Sequence, residues 1–113
     1  MLRLRGNSAL TEYKVVIEFP AQRDLQGILS YITDTLKEPV VAKRIYTSIK
    51  EQILTLSQMP LRHSVVQDQP DAAMGVRKLL VENYIAFYVI DEAKCEVHIL
   101  RILYNRREWQ NIL

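Results

Sequence analysis

The sequence has only one cysteine, three glycines and four prolines in 113 residues. A single thiol, Cys95, cannot close an internal disulfide or build a cysteine-based zinc site alone. So little glycine and proline excludes a collagen-like chain or a long flexible linker. No apolar run approaches the ~18–20 residues that a membrane span needs. A hydrophobic core, without cross-links or a bilayer, is therefore expected to hold the chain together.

An excess of one charge is also lacking. Fifteen Lys and Arg oppose thirteen Asp and Glu, and this net charge of +2 is too small to require a nucleic-acid partner. The start, MLRLRGNSAL, lacks the ~7–15-residue apolar stretch of a secretory signal, so the cytoplasm is the expected compartment. The 49% apolar content is typical of one globular domain. We expect residues 1–12 to be a leader, a candidate for disorder, and residues 13–113 to be a single domain.

The hydrophobic pattern changes its period along the first half of the chain. Residues 13–19 alternate, as in a half-buried strand that Pro20 ends. Residues 21–37 and 39–57 each carry an apolar stripe at spacings of three and four, which predicts two helices in an antiparallel hairpin. Gly27 lies inside the first helix, where we expect it to allow a close helix contact.

Three strand candidates follow in the second half, at residues 76–82, 84–91 and 96–104. In the last two, both sets of alternating positions are apolar, which indicates that both faces of the sheet are covered. Helices and strands are segregated, so the predicted fold is α+β. It comprises an N-terminal strand, a two-helix antiparallel hairpin and a three- to four-stranded antiparallel sheet. The first strand is expected at an edge, beside the last strand.

Motifs for cofactors and metals are absent. The sequence contains no P-loop, no GxGxxG and no His-Glu-x-x-His. Its two histidines, His63 and His98, lie far apart without the spacing of metal ligands. No base stands beside Cys95 to activate the thiol. We therefore expect no cofactor, no metal and no membrane partner.

Cationic side chains stand out on the predicted strands. Arg77 and Lys78 begin one strand, and His98 and Arg101 lie within another that ends at Tyr104. Because neighbouring strands lie ~4.8 Å apart, these groups can converge on a patch ~10–15 Å wide. Guanidinium groups pair with phosphates and with carboxylates, so the patch suits a nucleic acid or an acidic peptide. Strand alternation places Arg77 and Lys78 on opposite faces, so at least one lies off the patch.

The C-terminal segment adds Arg106, Arg107 and Trp109. Trp109 and Tyr104 offer flat surfaces on which a base can stack. The alternative for each basic residue is a solvated or ion-paired structural role. The alternative for Trp109 is packing as a lid on the sheet.

From residue 13 to residue 113 the chain resembles the RelE/ParE superfamily of bacterial type II toxins. The resemblance is carried, in order, by YKVVIEFPAQRDLQGILSYI, LSQMP, GVRKLLVENYIAFYVID and VHILRILYNRREW. It implies a growth-inhibiting, plasmid-stabilising toxin that a cognate antitoxin neutralises. RelE-like members cleave mRNA on the ribosome without a metal, whereas ParE-like members interfere with DNA gyrase.

The resemblance also implies roles for particular residues. If the chain is a nuclease, the catalytic candidates are Arg77, His98, Arg101, Tyr104 and Arg106, with His98 or Tyr104 transferring the proton. Arg77 then matches a basic strand residue of RelE-like toxins, and Arg106 lies near the arginine after their last strand.

Departures from the RelE-like pattern favour the ParE-like branch. Ile85 and Leu79 stand where those nucleases have an arginine and a lysine, and Ile112 stands where a tyrosine is expected. We therefore expect an inhibitor of gyrase that is not itself a nuclease. Its binding residues are then Arg77, Lys78, Arg101, Arg106, Arg107 and Trp109. A RelE-like mRNA endonuclease, and a non-toxic member that acts only in complex, stay open as alternatives.

Overall fold

The computed structural model describes residues 12–58, 60–62 and 75–105, and its elements follow the predicted order. They are strand β1 (Lys14–Ile17), helix α1 (Phe19–Ser30), a π-helical segment (Tyr31–Thr35), helix α2 (Pro39–Leu54), and strands β2 (Arg77–Val81), β3 (Tyr84–Asp91) and β4 (Glu96–Tyr104). Short 3-10 turns lie at Thr55–Ser57 and Pro60–Arg62. Within these ranges no helix is both long and apolar enough to cross a membrane.

The four strands form one sheet in the order β1-β4-β3-β2. Strands β2, β3 and β4 are antiparallel neighbours, as the two predicted hairpins require. Strand β1 lies at the edge beside β4, which confirms its predicted position, and Val16 stands opposite His98. It runs parallel to β4, so the complete sheet is mixed. The helices supply the long connection that a parallel pair needs.

Apolar side chains cover both faces of the sheet. The larger cluster lies between the sheet and the helices, and includes Ile45, Ile49, Ile53, Val97, Ile99 and Ile102. The smaller cluster lies on the other face of the sheet. It comprises Val76, Ile85 and Phe87, with Val89, Leu100 and Leu103 packed against them. The two-sided pattern of the last strands is thereby explained.

The start of α1 differs from the prediction. Strand β1 ends at Ile17, and Phe19 opens α1 with 67% of its surface exposed instead of continuing the strand. Pro20 lies in the first turn, where its missing N–H removes no helical hydrogen bond. Pro20 therefore helps to begin helix α1, and the strand that it was predicted to end already stops at Ile17.

The middle of the hairpin differs too. Beyond Ser30 the helix widens into the π-helical segment, closed by a 3.0 Å bond from the Leu36 N–H to the Tyr31 carbonyl. Lys37, at φ 58°, then ends it before α2. The close contact expected at Gly27 is wrong, because a Cβ added there meets nothing within 4 Å.

Candidate functional site

The register of the sheet places the predicted cations in different rows. Lys78 and Arg101 share a row, on either side of Phe87. Arg77 lies in the next row, opposite Tyr88, and its Nη1 donates a 3.3 Å hydrogen bond to the Leu61 carbonyl. Neighbouring residues on a strand face opposite ways, as the sequence predicted for this pair.

The C-terminal candidates cannot be placed in the same way. Arg106, Arg107 and Trp109 lie outside the described residues. The last candidate within them is Tyr104, at the end of β4.

Arg101 is held by a carboxylate on α1. Its Nε donates to Oδ2 of Asp24 at 2.7 Å and its Nη2 donates to Oδ1 at 2.9 Å. The backbone N–H of Ile102 donates to the same Oδ2 at 3.0 Å. Asp24 is only 15% exposed, so this two-point pair is largely shielded from water. Hydrogen bonding to Asp24 raises the pKa of Arg101 above its ordinary value. We call Asp24, Arg101 and the Ile102 N–H the Arg101 clamp.

A β-bulge makes the Arg101 clamp possible. Phe87 stands opposite Arg101, but Tyr88 stands opposite Ile99, so β4 has one extra residue, Leu100, at this point. A bulge bends a strand and re-aims its side chains. Here it sends the Arg101 side chain towards α1, where it meets Asp24.

His98 lies between two glutamates. Its Nδ1 is 2.6 Å from Oε2 of Glu18, and its Nε2 is 2.9 Å from Oε1 of Glu96. Hydrogen bonding to Glu18 is the main cause that raises the pKa of His98; burial opposes it and Glu96 adds to it. We call Glu18, His98 and Glu96 the His98 clamp.

Tyr104 belongs to an aromatic groove at the other end of β4. Its ring meets Tyr84 edge-on, with centroids 5.7 Å apart and planes at 75°. Burial is the main cause that raises the pKa of Tyr84. The groove has a volume of about 550 Å³ and is lined by Gly27, Ile28, Tyr31, Ile32, Leu36, Tyr84 and Tyr104. Such a lining can receive apolar side chains of a partner protein.

A second hollow, of about 430 Å³, adjoins the Arg101 clamp. Arg23 lies over the ring of Phe19, with 5.8 Å from its Cζ to the ring centroid. Sequence reasoning missed this pair because it assigned Phe19 to the strand. The spacing of four residues, which stacks side chains on a helix face, was the available signal.

The placement limits the chemistry that these groups can share. His98 and Tyr104 lie six residues apart on one strand; without the bulged residue Leu100 this is five regular steps, or about 17 Å at the usual rise. They therefore cannot reach one phosphate together at hydrogen-bond distance. Within the described ranges no three His, Cys, Asp or Glu side chains group as metal ligands would.

Comparison with known proteins gives one family and fourteen similar chains of known structure, including the two that follow. The family described as "ParE toxin of type II toxin-antitoxin system, parDE" matches residues 15–109. No curated protein is significantly similar in sequence. The chromosomal ParDE system from P. aeruginosa is 24% identical with a TM-score of 0.69, over 85% of this chain and 99% of that one. The RelBE2 toxin–antitoxin complex from Mycobacterium tuberculosis is 23% identical with a TM-score of 0.60, over 84% and 93%. Both structures share the fold described above.

Proposed function

Because the chain belongs to the ParE toxin family of type II toxin–antitoxin systems, we propose that it inhibits DNA gyrase and is neutralised by a cognate antitoxin. The family match over residues 15–109 is the observation that carries this proposal. The two similar structures are themselves toxin–antitoxin systems, which supports a protein partner for this chain.

The state of the candidate catalytic groups supports inhibition by binding over mRNA cleavage. Attack by a 2′-hydroxyl needs a base and an acid at the same phosphate. Both ring nitrogens of His98 already meet carboxylates, and Arg101 is paired with Asp24. Tyr104 lies far along the strand from His98. These three candidates therefore suit structural or binding roles better than proton transfer.

The proposed target surface comprises the cations of the sheet and the segment after β4. The backbones of Lys78 and Arg101 lie two strand spacings apart, roughly 10 Å, and the bulge turns the Arg101 side chain towards Asp24 on α1. Arg106, Arg107 and Trp109, together with Arg77, complete the set that the sequence predicts for binding. Guanidinium groups in such a set suit an acidic protein surface or a DNA backbone.

A supercoiling assay with purified gyrase tests the proposal. We expect the wild-type chain to inhibit supercoiling. The double change Arg106→Ala and Arg107→Ala is expected to weaken the inhibition. Lys43→Ala, an exposed cation on α2, is the matched control and should inhibit like the wild type. Unimpaired supercoiling at saturating toxin would reject gyrase as the target.

Primer extension on translated mRNA distinguishes the RelE-like alternative. Cuts at the ribosomal A site that disappear with Arg77→Ala would assign the chain to the nuclease branch. Intact transcripts together with inhibited supercoiling are the result expected here.

The antitoxin is tested with the product of the neighbouring gene. A partner that binds only the folded toxin raises its melting temperature by mass action. We expect a marked rise at saturating partner. An unchanged melting temperature would contradict neutralisation by that product.

A further inference from the structure

Both ring nitrogens of His98 face carboxylates from different parts of the chain. Glu18 follows β1, and Glu96 begins β4; the two contacts measure 2.6 and 2.9 Å. A neutral imidazole carries one N–H and one lone pair, whereas the imidazolium carries two N–H donors. Only the protonated ring can therefore donate to both glutamates. In the neutral ring a nitrogen lone pair would face a carboxylate oxygen.

The charges on this face of the sheet favour the protonated ring. Opposite Glu96 stand Lys14 on β1 and Asp91 on β3, and residues opposite one another share a face. With Glu18, the described residues around His98 thus supply three carboxylates and one ammonium group. The residues directly opposite His98 on both neighbouring strands are valines.

Helix α1 packs on the other face of the sheet. Of its two charged residues, Arg23 lies over the ring of Phe19 and Asp24 pairs with Arg101. The surroundings of His98 therefore stabilise its positive charge.

The His98 clamp holds the place where strand β1 becomes helix α1. Glu18 is the N-cap residue of α1, and its backbone N–H donates to the Ile99 carbonyl at 2.9 Å. Strand β1 has four residues and lies at an edge of the sheet formed by the described strands. The Glu18 side chain is 41% exposed and that of Glu96 is 25% exposed. Water can therefore hydrogen-bond to Glu18 in place of His98 more readily than to Glu96.

We propose that the His98 clamp is a proton-dependent latch on edge strand β1. The imidazolium bridges Glu96 and Glu18 and so fixes the junction between β1 and α1. When the ring loses its proton, its remaining N–H stays on Glu96, Glu18 turns to water, and this end of β1 loosens.

The direction in which folding changes the pKa of His98 determines how the latch responds to pH. The folded state raises the pKa of His98 above the ordinary value of ~6.5. The contribution of the protonated ring is therefore fully present just below the ordinary value, and the latch opens as the pH rises through the raised value.

Proton titration by NMR tests the first half of the proposal. The chain has two histidines, His63 and His98, so a His63→Gln variant assigns the signals. We expect His98 to titrate above the ordinary imidazole value, with both ring nitrogens protonated below it. Glu18→Gln and Glu96→Gln should each lower the midpoint. A midpoint at or below the ordinary value would overturn the latch.

Hydrogen exchange tests the second half. After correction for the intrinsic rate, the β1 amides should exchange several-fold faster above the His98 midpoint than below it. Glu18→Gln should remove this pH dependence, and His63→Gln should keep it. Protection of β1 that ignores the His98 midpoint, or that responds to Glu96→Gln but not to Glu18→Gln, would overturn the proposal. His98→Gln is a further variant with the same expectation as Glu18→Gln.

Discussion

Two polar clamps fasten helix α1 and its approach to strand β4, and they differ in what holds them. The Arg101 clamp joins a guanidinium to a carboxylate at two points. The His98 clamp joins an imidazole to two carboxylates, and the hydrogen bond to Glu18 raises the pKa of that imidazole. In the proposed latch, only the second of these ties depends on a proton.

The difference in burial points the same way. In the Arg101 clamp the carboxylate is 15% exposed and also accepts a backbone N–H. In the His98 clamp Glu18 is 41% exposed. A shielded carboxylate with three donors costs more to disturb than an exposed one with fewer. The Arg101 clamp should therefore dominate stability, and the His98 clamp should dominate its pH dependence.

Removing the carboxylate of Asp24 should give the largest effect. Asp24→Ala leaves the Arg101 guanidinium and the Ile102 N–H without their acceptor, and Arg101 is already 32% exposed. We expect a loss of about 2–3 kcal/mol in the free energy of unfolding, measured by urea denaturation. Asp24→Asn keeps an acceptor for Ile102 and should lose less.

The matched control is Asp34→Asn, at an exposed acidic residue of the π-helical segment. It should change the same free energy by less than about 0.5 kcal/mol. Equal losses for Asp24→Ala and Asp34→Asn would mean that the Arg101 clamp does not contribute to stability.

The pH dependence of stability separates the two clamps. Folding raises the pKa of His98, so its contribution is fully present below the unfolded value and is lost as the pH rises through the folded value. Urea titrations from about pH 6 to 9 should show a falling free energy of unfolding in the wild type. His98→Gln should flatten the curve, and Asp24→Ala should shift it down without changing its slope. If the slope persists in His98→Gln, another titrating group causes the pH dependence.

A change within α1 tests whether the helix itself, and not its clamps, limits stability. Gly27→Ala adds a methyl group with nothing within 4 Å of it. We expect the free energy of unfolding to rise by about 0.5–1 kcal/mol, because alanine favours the helix. Gly75→Ala is the opposite control, because Gly75 has φ +73°, a conformation that alanine adopts only with strain. This variant should lose about 1 kcal/mol in the free energy of unfolding. Destabilisation by Gly27→Ala would reveal a helix contact at this position.

An exposed ion pair gives the smallest expected effect. Arg44 on α2 meets Glu82 in the β2–β3 turn at 2.8 Å, with 59% of the Arg44 side chain exposed. This hydrogen bond lowers the pKa of Glu82. Solvent and salt screen such pairs, so Arg44→Ala should barely shift the denaturation midpoint. If Arg44→Ala loses as much unfolding free energy as Asp24→Ala, shielded and exposed ion pairs do not differ in their contribution to stability.

Local periodicity predicted the order and type of the helices and strands, because these depend on residues close in sequence. It did not predict the clamps. Glu18 and His98 are 80 residues apart, and Asp24 and Arg101 are 77 apart. Such pairs depend on the register between distant strands and on which way each side chain points.

The candidate site shows the same limit. Sequence reasoning selected His98 and Arg101 as polar groups on a strand, yet not the acids that engage them. Simple alternation places Leu100 and Arg101 on opposite faces but cannot reveal an extra residue in the strand. The bulge at Leu100 alters the direction of Arg101, and only three-dimensional packing determines it.

The parallel pairing of β1 with β4 has a consequence for synthesis. The first described strand, β1, pairs with the last described strand, β4, and Val16 stands opposite His98. During translation β1 can therefore form this pair only after residues 96–104 have been synthesised. Contacts between such distant segments are the slow ones to form. A product that terminates before β4 lacks the strand that joins β1 to the β2–β3 hairpin, so these two parts are left unconnected by any sheet.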